Sequence, residues 1–388
     1  VRSIARADAA QGPRFLRTAI HLCALGALGF AAAALRAGAG WERVAPRDDP
    51  GDLPMLSIVV PARDEAANIE RCVRSLLAQS LRRFELIVVD DRSTDATPEI
   101  LRGLAREDAR LQVVAGADLP EGWVGKPWAL HQGAERARGA WLLFTDADSW
   151  HAPHAEASVL QYALEHGVDA VSLGTGQELG SFWERAVLPS ALVLIVMAFH
   201  DRPIANGQYI LVSREAYDAL GGHAALRAEI AEDIEFAKRL AADGRFRLKL
   251  AGGIDLVRVR MYRSLRQLWN GFRKNVFLGA EGDVARAGSS VAVLGLLSIA
   301  PPALALAAFA RGRRRAALEA LCASVTTIAA TSRLLAKLGF PRRLGAFQPL
   351  GFAVMGTIVL DATVRVVSGH GVEWRGRRYT GRYKSQKP

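Results

Sequence analysis

Cysteine is scarce. The 388 residues hold three, Cys23, Cys72 and Cys322, far apart and two of them in apolar segments. That spacing offers neither a disulfide framework nor a zinc site. Histidine gives no metal pattern either. The eight are scattered, with His151 and His154 after an acidic motif and His200 and His223 further on. No two stand at a recognised ligand spacing, and surface or packing roles are expected of them. No internal repeat is evident, and glycine stretches such as Gly174-Thr175-Gly176 lack a phosphate-loop spacing. Acid is in the minority, with 39 Asp and Glu against 50 Lys and Arg, a net charge of +11. A basic balance can suit nucleic acid. Here the basic residues cluster beside apolar segments, at 311–315, 333–343 and 375–387. That is the pattern of membrane flanks near anionic lipid, and no nucleic-acid partner is expected.

What the chain has in plenty is apolar length. Hydrophobic residues make up 50%, and mean hydropathy is +0.11. The surplus is local. Residues 15–35 form an almost uncharged stretch long enough to cross a bilayer, and 288–310, 316–331 and 345–367 are three more apolar stretches. The first follows Arg2, Arg6, Arg14 and Arg17, as a signal peptide would, but the residues from Arg36 to Gly40 offer no clear small-x-small cleavage site. An uncleaved anchor is expected.

Between anchor and C-terminal region the pattern alternates. Apolar strands at 56–61, 84–89, 111–115 and 141–144 are separated by helices. One carries Ile69, Cys72, Val73, Leu76 and Leu77 on a face, the next Ile100, Leu101 and Leu104, and the third spans 128–137. Strands apolar throughout are covered on both faces, which predicts an α/β domain with a mostly parallel sheet. In such sheets ligands bind beyond the carboxyl ends of the strands. Asp90, Asp91, Asp146 and Asp148 all stand at such ends. Asp146 and Asp148, two residues apart, suit one hard cation, Mg²⁺ or Mn²⁺, with positions left open for a substrate's phosphates.

Further strands are expected at 170–173, 206–213, 246–251 and 256–261. Residues 181–199 carry Phe182-Trp183 and an apolar run interrupted by Pro189; they are read as an interfacial helix lying against lipid, with a core helix as the competing reading. Glu229, Glu232, Asp233 and Glu235 open a helix, where acid also suits the helix dipole. An amphipathic helix at 264–277 presents Leu265, Leu268, Trp269 and Phe272 on its apolar side.

The set Pro61-Ala62-Arg63-Asp64-Glu65, Asp90-Asp91, Gly125-Lys126, Thr145-Asp146-Ala147-Asp148 and Glu232-Asp233 resembles, in order and spacing, the family 2 glycosyltransferases, inverting enzymes of GT-A (nucleotide-diphospho-sugar transferase) fold. The likeness covers roughly residues 56–279. Residues 119–127 and the stretch from Met261 to Asn275 look most like the carotenoid- and hopanoid-associated branch, near ceramide glucosyltransferases. The resemblance implies roles. Pro61, Arg63 and Glu65 would lie near the base and ribose, and Asp90 or Asp91 would contact the base. Lys126 would neutralise the diphosphate, Asp146 and Asp148 would hold ribose and metal, and Asp233 would be the general base. Glu232, Trp269, Phe272, Arg273 and Lys274 are candidates for the acceptor side or the diphosphate, with core packing the competing reading for the two aromatics. Two departures stand out: no Arg-Trp pair follows the base, and Arg92 stands where members often carry Gly.

The expected organisation is an anchor with its flanks at 1–45, a GT-A catalytic domain at 46–280 that includes the interfacial helix 181–200, and a membrane region at 281–388 ending in a basic tail. A cytosolic nucleotide sugar places the catalytic domain in the cytoplasm, on a multi-pass protein of the cell (inner) membrane. If all three C-terminal stretches crossed, the basic tail would end outside, against the positive-inside tendency. Pro301-Pro302 at the centre of 288–310 favours a re-entrant or broken segment there. The expected activity moves a hexose from a UDP- or GDP-sugar to a membrane lipid: a carotenoid, hopanoid, sphingolipid, diacylglycerol or polyprenyl phosphate. The rivals are a processive polysaccharide synthase, which calls for more spans and the Arg-Trp pair, and a non-catalytic sugar-nucleotide-binding scaffold.

Overall fold

β-Branched and aliphatic residues fill the strands, and alternate side chains leave on opposite faces, so a strand apolar throughout needs cover on both. The computed structural model describes residues 2–279, 283–368, 372–374 and 377–379. Strands β1 (Leu56–Ala62), β2 (Phe84–Asp90), β3 (Leu111–Ala115) and β4 (Trp141–Thr145) run parallel and are joined through helices Ile69–Leu77, Thr97–Glu107 and Gly125–Arg136. With β5 (Ser149–His151), β6 (Ala170–Gln177), β7 (Tyr209–Ser213) and β8 (Leu248–Val259) they form an eight-stranded sheet ordered β3-β2-β1-β4-β7-β6-β8-β5. Four of its seven pairings are parallel; β7 runs antiparallel to β4 and β6, and β5 to β8.

The cover is two-sided, as the strands require. Ile58, Val60, Leu86 and Val88 pack with Ile69, Leu76, Leu101 and Leu160. Val59, Leu142 and Phe144 pack with Leu130, Phe236 and Leu240 on the other face. Each large side chain fully buried there stabilises the fold by about 1.5–3 kcal/mol. Pro61 closes β1 opposite Val89, past the last β1–β4 partners Val59 and Phe144, so its missing N–H interrupts no bond on the β4 side.

β8 corrects one reading. Gly252 and Gly253 were expected to separate two strands, yet β8 runs through them as one element of 12 residues. The physical reason is close approach. A Cβ on Gly252 or on Gly174 of the neighbouring β6 would stand 2.7 Å from the Trp41 ring. The glycines make room for an indole rather than turning the chain.

The chain forms two compact units. One comprises Trp41–Glu178 and Asp201–Met261 and contains the sheet; the other comprises Val1–Gly40, Leu179–His200 and Tyr262–Pro388. In the second unit, helices Phe15–Ala39, Phe182–Phe199, Arg314–Lys337 and Arg342–Arg365 are long and apolar enough to cross a membrane. Val284–Ser298 and Ala300–Ala310 are bent by 46° at their junction, beside Pro301-Pro302. Phe182–Phe199 starts at a capping box in which Ser181 and Glu184 satisfy each other's backbone N–H, worth about 1 kcal/mol in such motifs. Phe30 meets Phe352 edge-on at 5.5 Å. Of the basic tail only Arg377–Tyr379 are described, paired with Val372–Trp374.

Candidate active site

Parallel strands deliver their carboxyl ends to one rim. At the end of β2, Asp91 is buried at 6% exposure, and its carboxylate takes the Arg63 guanidinium at 3.4 Å. Asp90 Oδ1 accepts the Ser93 N–H at 3.1 Å. Between them and the next helix, Arg92 has φ 56°, in the left-handed region. That backbone is free for glycine and strained for arginine. Arg92 is held instead by ion pairs to Asp91 at 3.8 Å and Asp118 at 2.9 Å. Glu65 is buried; its carboxylate accepts the Asn68 amide at 2.9 Å, and its carbonyl accepts the N–H of Ile69 at the start of helix Ile69–Leu77.

The second cluster draws on segments far apart in sequence. Lys126 lies in the first turn of Gly125–Arg136, and Asp146 follows β4. Glu232 and Asp233 open helix Glu232–Asp243. Lys126 Nζ stands 2.8 Å from Asp146 Oδ1, 2.9 Å from Glu232 Oε1 and 3.4 Å from the Gly207 carbonyl. Asp233 Oδ2 accepts the Gly207 N–H at 2.9 Å, and Oδ1 accepts its neighbour's, Ile234, at 2.9 Å. Asp148 ends the turn that Asp146 begins.

One ammonium among three acids sets the electrostatics. Burial alone would push the Lys126 pKa down; the charges of Asp146, Glu232 and Asp233 outweigh it and hold the pKa above the usual lysine value. Burial, aided by Glu232, pushes Asp233 up to about 6, against the pull of Lys126 and the two backbone N–H groups. Behind the cluster, burial takes His223 down to about 3, with the Lys126 charge adding to it. That imidazole is therefore neutral, with its Nδ1 hydrogen-bonded to the Tyr217 hydroxyl at 2.9 Å.

The structure brings Lys126, Asp146, Glu232 and Asp233 together, and Arg63 with Asp91. Of the candidates for the acceptor side or the diphosphate, Glu232 is in this cluster, and Trp269, Phe272, Arg273 and Lys274 lie in the other unit. There Trp269 Nε1 donates to Asp361 at 2.8 Å, Arg273 reaches the same carboxylate at 3.3 Å, and Phe272 is buried beside Tyr262. The Lys274 side chain lies outside what is described. Asp361 was missed, although an acid inside an apolar run is a signal in itself. Gly207 was missed as a site residue. A Cβ there would stand 3.0 Å from Lys126 Nζ and 3.1 Å from Asp233 Oδ2. Gly207→Ala is accordingly expected to lower kcat/KM by about 10–100-fold through displacement of these two groups, with little change in Tm, as steady-state rates beside thermal melts will show.

Among the described residues no three ligating side chains converge as a closed metal site. Asp146 and Asp148, close together on one short turn, offer hard oxygen donors of the kind a divalent ion takes. A cavity of about 300 Å³ lies elsewhere in the unit, lined by Glu42, Arg43, Arg47, Tyr162 and Glu165. Its charges are already balanced, Arg47 by Glu165 and Arg43 by Asp255.

A mixed, doubly covered sheet with acids at its carboxyl rim is the architecture of a GT-A glycosyltransferase. Residues 57–234 match the family model described as Glycosyl transferase family 2; the chain carries a domain of that family, and glycosyl transfer is its chemistry. The 4,4'-diaponeurosporenoate glycosyltransferase of Staphylococcus aureus (strain MRSA252) is 26% identical over 337 residues, covering 84% of this chain and 88% of its own. That of strain USA300 is 25% identical with the same coverage. Among solved structures, mannosyltransferase PcManGT from Pyrobaculum calidifontis in complex with GDP-Man and Mn2+ matches at TM-score 0.54 and 22% identity, covering 90% of this chain and 98% of that one.

Proposed function

We propose that this chain transfers a hexose, with inversion, from a UDP- or GDP-sugar to a lipid acceptor at a membrane. The observation that carries the reading is the Lys126 ammonium set among Asp146, Glu232 and Asp233, a carboxylate of raised pKa beside a cation in a half-buried cleft. Asp233 is the general base: it takes the proton from the acceptor hydroxyl as that oxygen attacks the anomeric carbon opposite the leaving diphosphate. One displacement inverts the centre, and no covalent nucleophile is needed. Lys126 faces the negative charge that grows on the diphosphate. Asp146 and Asp148 would hold a divalent cation, Mg²⁺ or Mn²⁺, which supplies further charge stabilisation when bound. Arg63 and Asp91, with Pro61, Glu65 and Asp90 around them, would contact base and ribose. The apolar helices and the relatives named for diaponeurosporenoate support a lipid acceptor. They also support a multi-pass membrane protein whose catalytic unit faces the cytoplasm, where nucleotide sugars are found.

Membranes containing the chain, given labelled UDP- and GDP-hexoses with Mg²⁺ or Mn²⁺ and then extracted, test the reading. Label in one discrete lipid is expected. Label only in non-extractable polymer, or in nothing, would sink it.

The base assignment also fixes a pH dependence. Asp233 accepts a proton only when ionised, so kcat/KM should fall as pH drops through about 6. Glu232 raises that pKa, so Glu232→Gln should move the acid limb to lower pH. An unmoved limb in a pH–rate profile would refute the coupling.

A further inference from the structure

The buried pair His151 and Glu156 has no part in the chemistry above. His151 Nδ1 lies 2.7 Å from Glu156 Oε1, and both side chains are wholly buried. The other ring nitrogen, Nε2, stands 3.0 Å from the Ser149 hydroxyl and 3.2 Å from that of Thr145. Each hydroxyl also meets a backbone carbonyl: Thr145 donates to Gln208 O at 2.8 Å, and Ser149 donates to Asp146 O at 2.7 Å.

A proton count favours one tautomer. A carbonyl only accepts, and a hydroxyl has one proton to give. The two hydroxyls also lie 3.1 Å from each other; when the shorter carbonyl contacts at 2.8 and 2.7 Å hold both protons, two acceptor oxygens face Nε2, and Nε2 carries the hydrogen between them. On the far side, two bare acceptors 2.7 Å apart would repel, so one proton lies between Nδ1 and Glu156 Oε1. Whichever atom holds it, the pair is neutral as a unit, which suits complete burial.

Thr145 closes β4, the Asp146 carbonyl begins the Asp146–Asp148 turn, and Gln208 follows Gly207, whose N–H carries Asp233. We propose that the His151–Glu156 pair is a positioning device: its fixed Nε2–H directs the Thr145 and Ser149 protons onto Gln208 and Asp146, and so holds the acidic turn in register with the segment that supports Asp233. The inference rests on reading Asp146 and Asp148 as the donor site.

The full chain in detergent, 15N-labelled at histidine, tests it. One hydrogen-bonded ring Nε2–H resonance is expected in the wild type. It should vanish in His151→Phe and survive in Glu156→Gln, whose amide can donate to Nδ1 and leave Nε2–H in place. With GDP or UDP plus Mn²⁺ as probe, Glu156→Gln should bind about as wild type does, and His151→Phe about 10–100-fold more weakly, the usual range for an outer-shell partner. If His151→Phe does not fold, His151→Gln, whose amide can present an N–H to the same hydroxyls, is compared instead. It should bind more tightly than His151→Leu. A bare Nε2, or a folded His151→Phe that binds like wild type, overturns the proposal. A wild type that binds neither nucleotide removes the donor-site reading, and the positioning role with it, while the ring resonance still decides the proton assignment.

Discussion

Asp233→Asn should slow glycosyl transfer by about 10³-fold while leaving the donor KM nearly unchanged, the span a positioned general base contributes. The asparagine side-chain oxygen can still accept the Gly207 N–H that Asp233 accepts at 2.9 Å, so the 206–208 segment has no reason to move. What is lost is the capacity to take a proton, together with the bond that Oδ1 accepts from the Ile234 N–H. The carboxylate's pKa, pushed up to about 6 by burial and by Glu232, brings its basicity closer to working pH than that of a free aspartate. A loss of about 10³ in kcat corresponds to about 4 kcal/mol of transition-state stabilisation. Glu235→Gln, on the same helix turn and paired with Lys238 and Arg239, is the control and should change the rate little. Steady-state kinetics on both variants, each with its Tm, make the comparison; an Asp233→Asn enzyme that runs like wild type would return the base to another group.

Lys126→Met should have the second large effect, and on two measurements at once. The ammonium offsets Asp146 at 2.8 Å and Glu232 at 2.9 Å, so its removal leaves an acid cluster without a counter-charge. Breaking a fully buried pair costs about 3–5 kcal/mol, and with a third of this side chain exposed the expected loss is nearer to about 2 kcal/mol. The sign with pH is definite. The Lys126 pKa is raised in the fold, so its contribution is fully present below the ordinary lysine range. It is lost only as pH rises through the raised value. Without it Asp233 loses the cation that pulls its pKa down, and the deficit shrinks as pH falls and that carboxylate takes up its proton. Chemical denaturation of the variant at about pH 8 and pH 5 should therefore show the larger loss at the higher pH. Turnover should fall by about 10²–10³-fold, the cost of removing one group that faces developing charge, and Lys126→Arg should recover part of it.

The parallel part of the sheet was legible because β1, β2 and β4 carry near-continuous apolar runs of strand length, separated by helix-patterned segments. β5, at three residues, was too short to leave a pattern. β8 was hidden by Gly252-Gly253, because a sequence does not say whether a glycine frees the backbone or clears space for a ring such as Trp41. In the site, the acids announced themselves by standing where apolar runs stop. Their partners did not. His151 pairs with Glu156 five residues on, and Lys126 meets Glu232 more than a hundred residues away. Neither spacing belongs to a helix face or a strand, so only the fold reveals them. Gly207 was legible as part of a turn but not as the floor beneath Lys126 and Asp233.

The sheet-bearing unit is made of two stretches, Trp41–Glu178 and Asp201–Met261. β7, from the second stretch, inserts between β4 and β6, from the first. The ribosome therefore finishes Asp146 and Lys126 well before it releases the base, and between the two it threads out the apolar segment Leu179–His200. A nascent chain stopped at residue 178 would have the acidic turn but no central strand to dock beside it and no Asp233. On the proposed reading of Asp233, competence for transfer arrives only after that apolar segment has been made.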